Sequence, residues 1–305
     1  MNKLLLGVAA STLLIATQAY AADPILPPPV DVAPVADAAF WGTVEIGGLA
    51  RYTSEYGESD LEDETTLGGL YGSFALWGDL GTVRLGLDGY GEWVSFDDVA
   101  EDNTLTPEGL GVIGAHAGVA LDSAYVGIFG AVGTYPDEDN EDFQAGYAVG
   151  VEGTVDAGVA TLFGKLGYAF APSDEYEADD QEEGFDGLFA EVGAIYSISD
   201  DLAVMANVGF GYSASFDDEV DEDGGYVNWG AKASYRLPTD FNLNLVASYE
   251  GYYAYTVEEE DENLEHTFKL GLSIPFGSTG TAADALNPLS SPVAPFRAGY
   301  SSDAL

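Results

Sequence analysis

Period-two alternation is the feature that most constrains this chain, and it is clearest in the stretch His266 to Phe276, HTFKLGLSIPF. Phe268, Leu270, Leu272, Ile274 and Phe276 share one parity, while Thr267, Lys269, Gly271, Ser273 and Pro275 share the other. Successive side chains of a strand point to opposite faces, so the stretch is a ribbon with one apolar wall and one polar wall that carries a charge. Eleven earlier stretches repeat the pattern. Strands are expected over 40 to 56, 66 to 78, 82 to 96, 109 to 121, 124 to 135, 143 to 155, 159 to 170, 187 to 198, 202 to 216, 226 to 237, 241 to 256 and 266 to 276. The last would close the set.

The two parities differ in charge. One carries Val44, Ile46, Leu70, Leu85, Leu87, Val149, Val151, Leu162, Leu166, Val208 and Leu245, with no Asp, Glu, Lys or Arg in any strand. Charged strand residues take the other parity: Glu45, Arg51, Glu55, Arg84, Asp88, Glu92, Glu152, Lys165, Glu191, Lys232, Arg236, Glu250 and Lys269. A charge facing a bilayer midplane costs about 2 to 4 kcal/mol, which accounts for the segregation if the apolar wall faces lipid.

Connections alternate between two kinds. Acid blocks follow the odd strands: GESDLEDET from Gly57, DDVAEDNTLTPE from Asp97, PDEDNED from Pro136, APSDEYEADDQEEGFD from Ala171, DDEVDEDGG from Asp217 and VEEEDENLE from Val257. Together they hold 35 of the 53 acids and no Lys or Arg. Tight turns follow the even strands, at Asp79, Asp122, Asp156, Asp200 with Asp201, and Pro238 to Asp240. Long loops at one end and short periplasmic turns at the other are how outer-membrane barrels are built.

A soluble sandwich or lipocalin-like barrel would alternate in the same way with its apolar face inward. Aromatic placement argues for the membrane barrel. Each strand that runs into an acid block ends in an aromatic, Tyr56, Phe96, Tyr135, Phe170, Phe216 or Tyr255, which together suggest a girdle at one interface.

The ends fit export. MNKLLLGVAASTLLIATQAYA has Lys3, an apolar run from Leu4 to Ala16 and a small-residue site at Ala19 to Ala21, which read as a cleaved signal peptide over 1–21. Residues 22–39, with five prolines, read as an extended periplasmic leader. The barrel is expected over 40–276, with 277–305 as a periplasmic tail carrying Pro288, Pro292 and Pro295. There is no cysteine, so the fold must be held by means other than disulfides, and a closed hydrogen-bonded barrel is one of them.

The signal peptide, the ADPILPPP leader running into FWGTVEIGG, and the Phe-ended last strand resemble the outer-membrane β-barrel proteins of Gram-negative bacteria, in particular the small porin-like proteins of alphaproteobacteria. The resemblance covers essentially the whole chain and implies an outer-membrane location, with lipid and lipopolysaccharide as neighbours. It departs from the pattern in one respect: the chain continues 29 residues past Phe276, where such proteins usually stop.

Nucleic-acid binding is excluded by 53 acids against 8 bases. No cofactor is expected. Asp217, Glu219, Asp221 and Asp223 before Gly224 open like a calcium loop, but the closing acid is missing, leaving weak Ca²⁺ or Mg²⁺ at the acidic loops as the most they would hold. Enzymatic work of the lipid-hydrolase kind needs a histidine beside a serine or an acid. His116 stands among small residues of inward parity, and His266 follows Glu265 at a rim, where the two could meet; neither has a same-face serine in its strand, and no enzyme is expected.

The functional expectation is a narrow, cation-preferring channel for small hydrophilic solutes. Its pore-lining residues would be Glu45, Arg51, Arg84, Asp88, Glu92, Glu152, Lys165, Glu191, Lys232, Arg236, Glu250 and Lys269. Inward Gly and Ala argue for free space; the mixed charges could instead pair across the bore and close it. The alternative is a non-conducting structural or adhesive barrel working through its loops.

Overall fold

The computed structural model describes residues 39–57, 60–96, 107–136, 143–170, 186–217, 222–256, 262–278 and 280–297. The expected signal peptide and nearly all of the leader lie outside them, as do most of the acid blocks.

Twelve strands form one closed antiparallel barrel: β1 Ala39–Gly57, β2 Asp60–Leu80, β3 Val83–Phe96, β4 Pro107–Leu121, β5 Ala124–Pro136, β6 Phe143–Asp156, β7 Ala160–Phe170, β8 Gly187–Ser199, β9 Leu202–Asp217, β10 Glu222–Arg236, β11 Asn244–Thr256 and β12 Glu262–Phe276. Each pairs with its neighbours in sequence, and β1 pairs with β12 from Gly42↔Phe276 to Tyr56↔Glu262, which leaves no edge. Several strands outrun the sequence expectation at the loop end. β2 begins at Asp60 and pairs back to Gly57, because an antiparallel hairpin satisfies its backbone in water as well as in lipid. At the other end β11 starts at Asn244, later than expected, since residues 237–243 form the connection from β10.

Burial is inverted relative to a soluble protein. Ile46 is 67% exposed and Val126 62%, whereas Glu45, Asp88 and Glu152 are 5% exposed or less. The apolar side chains coat the outside and the charges line the bore, the arrangement of a membrane-spanning barrel. Near the loop end of the outer wall stand Trp93, Tyr168, Phe170 and Tyr212, with Tyr147 stacked on Phe170 at 5.6 Å. Tyr255 stacks with Tyr253 at 5.9 Å. The side chains of Tyr56, Phe96, Tyr135 and Phe216 lie outside the described residues.

The main departure concerns the tail. Residues 280–297, expected in the periplasm, run inside the barrel. The chain reverses out of β12 at Gly277 and Gly280, with φ of +66° and +79°, a left-handed backbone that glycine adopts without a Cβ penalty. From there a 3-10 turn at Ala282–Ala285 leads to an extended stretch and a single helical turn over 294–297. Twelve strands enclose more volume than their own side chains fill, and Leu286, Leu289 and Phe296, each 5% exposed or less, occupy part of it. Burial in the bore removes their apolar surface from water, which a soluble tail would not.

Candidate functional site

The site is the bore with the segment inside it, and its layers follow the segment upward from the short-turn end. At the entry the Ala282 amide donates to the Asp200 carbonyl between β8 and β9 (2.8 Å), and Ala282 and Leu286 pack on Phe163, Ile195 and Ala203. Higher up, Leu289 packs on Ala75, Trp77 and Tyr125. At mid-height Ser291 is clamped by Asp88, its hydroxyl donating to Oδ1 (2.7 Å) and its amide to Oδ2 (2.6 Å), while the Lys165 ammonium donates to the Ser290 carbonyl. Near the loop end Phe296 completes an apolar layer with Leu110, Val112, Phe129, Phe189, Tyr226 and Tyr252, contributed by β4, β5, β8, β10 and β11.

Arg297 finishes the plug. Its guanidinium lies 3.2 Å from Glu92 Oε1 and 3.5 Å from Glu265 Oε2. Arg51 contacts the same two acids and donates to Thr267 Oγ1 at 3.0 Å. Two guanidiniums and two carboxylates thus compensate one another where a lone charge would be costly.

The twelve residues named from parity all sit on inward positions, but few stand free. Lys232 on β10 meets Glu45 on β1 at 2.8 Å, and Glu45 also accepts from the Tyr71 hydroxyl. Lys269 donates to Glu250 and to the Tyr90 hydroxyl, both at 2.7 Å, the latter bond joining β12 to β3. Arg84 is paired with Asp79 at 2.8 Å and lies over the Trp41 ring. Lys165 approaches Glu191 at 3.8 Å, and Arg236 lies by Gly280 at the short-turn end. The expectation that inward glycines leave free space also fails, because large side chains lie across them. Tyr71 covers Gly47 and Gly271, Tyr125 covers Gly127, and two glycines are covered by the inner segment itself: Gly114 by Ser291 and Gly133 by Phe296.

The histidines take separate roles. His116, buried, has Nδ1 2.9 Å from Glu152 and Nε2 2.9 Å from Asp88, so both ring nitrogens are engaged by carboxylates and the serine nearby, Ser291, bonds Asp88 instead. His266 is on the outer wall, 2.9 Å from the Tyr249 hydroxyl and stacked near Tyr52. Glu265 points into the bore, since adjacent residues of a strand face opposite ways, so the two do not meet, and His266 is the rim histidine the sequence favoured. Among the described residues no His, Cys, Asp or Glu group of three or more could hold a metal; the calcium-like stretch 218–221 lies outside them.

A cavity of about 200 Å³ remains beside the segment. One side is Asn287, Pro288, Ser290, Val293 and Ala294; the other includes Glu45, Tyr71, Glu191, Asn207, Asn228, Lys232 and Glu250. Sequence reasoning missed Ser291, Phe296 and Arg297. The available signal was Arg297 itself: apart from Lys3, it is the one Lys or Arg outside the strands.

No family model and no curated protein matches the chain. Among solved structures it is similar to the outer membrane channel DcaP of Acinetobacter baumannii, at 11% identity over 77% of this chain and 97% of that one, with a TM-score of 0.39. OpdQ of Pseudomonas aeruginosa matches at 11% over 78% and 98%, TM-score 0.34, and a BenF-like porin of Pseudomonas fluorescens at 9% over 79% and 99%, TM-score 0.36.

Proposed function

We propose that this is an outer-membrane, porin-like channel for small hydrophilic solutes, with a preference for cations, whose passage is narrowed by its own C-terminal segment. The observation that supports this is an asymmetry in the ion pairs of the bore. In the Lys165–Glu191 pair the side chains are 2% and 20% exposed, and in the Lys269–Glu250 pair 4% and 37%. In both pairs the carboxylate is the more exposed partner, and the cavity is lined by Glu45, Asp88, Glu191 and Glu250 against Lys232, Lys269 and Arg297, an excess of one negative charge. An excess of negative charge in a cleft favours cations, and about 200 Å³ suits a hydrated ion or a small solute rather than a drug-sized ligand of ~300 Å³ or more.

The test is single-channel conductance in a planar bilayer, with the reversal potential under a salt gradient. Cation-selective steps that lose selectivity in Glu250→Gln are expected. The second reading, a non-conducting structural or adhesive barrel, is favoured by the apolar layer around Phe296. A silent bilayer from folded protein, with or without the segment in place, would select it.

A further inference from the structure

We propose that residues 280–297 are a removable plug: the bore is a binding site shaped for this segment, and the passage widens when the segment withdraws through the short-turn end. The widening rests on the channel reading above; the withdrawal does not.

Four observations carry it. First, the wall is complete without the segment, because β12 already pairs with β1 down to Phe276. Second, the segment never joins the ladder. Among the described residues one backbone-to-backbone bond joins it to the wall, at the entry, from Ala282 to Asp200; deeper in, wall side chains hold it, with Asp88 on the Ser291 amide and hydroxyl, Lys165 on the Ser290 carbonyl, and Glu92 and Glu265 on Arg297. Pro292 and Pro295 lack the amides that strand pairing would need.

Third, the wall is cut back where the segment lies. A Cβ at Gly133 would stand 2.5 Å from the Phe296 ring, and one at Gly114 would overlap the Ser291 hydroxyl. These are recesses for two particular side chains, as a receptor site has. Fourth, the segment is tethered at one end by two positive-φ glycines and borders open cavity along its other face, where Ser290 is exposed. A tether, a set of discrete anchors and adjoining space are what a withdrawable occupant requires.

The chain has no cysteine, so thiols can be introduced singly. In Gly114→Cys with Ser291→Cys the two Cβ atoms start about 3.0 Å apart, and a small adjustment reaches the ~3.5–4.5 Å of a disulfide. The oxidised protein is expected to stay in its narrow state, and reduction to raise conductance several-fold. A measurable conductance that is equal before and after reduction would overturn the proposal.

Withdrawal is read without any current in Ser290→Cys, using a polyethylene-glycol maleimide too bulky for the cavity. Labelling of folded barrel, identified by its slower migration after boiling, supports withdrawal. A thiol that reacts only after denaturation overturns it. A labelled thiol with a silent bilayer supports the removable segment and removes the channel; an unlabelled thiol with clear conductance does the reverse.

Discussion

Along β1 the wall keeps fifteen consecutive pairings with β12, each fixed by the ladder and indifferent to the identity of the side chains that form it. Residues 280–297, a few ångströms away in the same bore, depend instead on particular atoms: one serine, one arginine, one phenylalanine and the recesses that receive them. The contrast is between a structure whose hold is distributed and one whose hold is local. Damage to the first should spread through the barrel, and damage to the second should free the segment and leave the barrel standing.

The largest effect is expected where the two meet. Glu92 is 7% exposed and bonded to Arg51, Arg297 and Tyr90. Glu92→Ala leaves two guanidiniums facing Glu265 alone, and removing one partner of a buried ionic set costs about 3 to 5 kcal/mol. Urea unfolding in detergent would measure it. A loss below about 1 kcal/mol would mean that water reaches the set and screens it.

The next prediction sharpens the comparison by placing one charge in each region. Ile128, 61% exposed in the middle of β5, faces outward, and Ile128→Lys should cost about 2 to 4 kcal/mol in a bilayer. Asn287→Lys puts the same ammonium on the cavity side of the segment, near Glu191 and Glu250, and should leave the barrel's unfolding within about 0.5 kcal/mol of the parent. If Ile128→Lys is tolerated as well as Asn287→Lys, the outer wall does not face lipid.

The same contrast decides what the sequence makes legible. The wall was readable because period-two alternation is a local code repeated twelve times, and lipid forbids charge on one face; the run of apolar residues on one parity and Glu45, Asp88, Glu152 and Lys269 on the other needed no tertiary information. The hold on the segment had no such code. Gly114 and Gly133 read as empty space because a glycine looks alike whether it faces a void or a neighbour. Pro288, Pro292 and Pro295 read as a soluble linker because proline excludes a strand without saying where the strandless segment goes. What pointed inward was Arg297 close behind Leu286, Leu289 and Phe296, an apolar and cationic end on a chain of formal charge −45.

The smallest effect tests the locality of the hold most directly. Ser291→Ala removes a hydroxyl that donates to Asp88 at 2.7 Å and leaves the amide bond to the same carboxylate in place. A hydrogen bond to a charged group contributes about 1.5 kcal/mol at the low end of its range. Because Asp88 keeps His116 at 2.9 Å, the wall loses nothing it needs, and the loss should fall on the segment. Barrel unfolding should therefore stay at the parent value while the Ser290→Cys thiol labels roughly ten-fold faster, the factor that about 1.4 kcal/mol makes in an equilibrium between seated and withdrawn states. If instead unfolding shifts and labelling does not, segment and wall are one cooperative unit, and Ser291 belongs to the core of the barrel rather than to a plug.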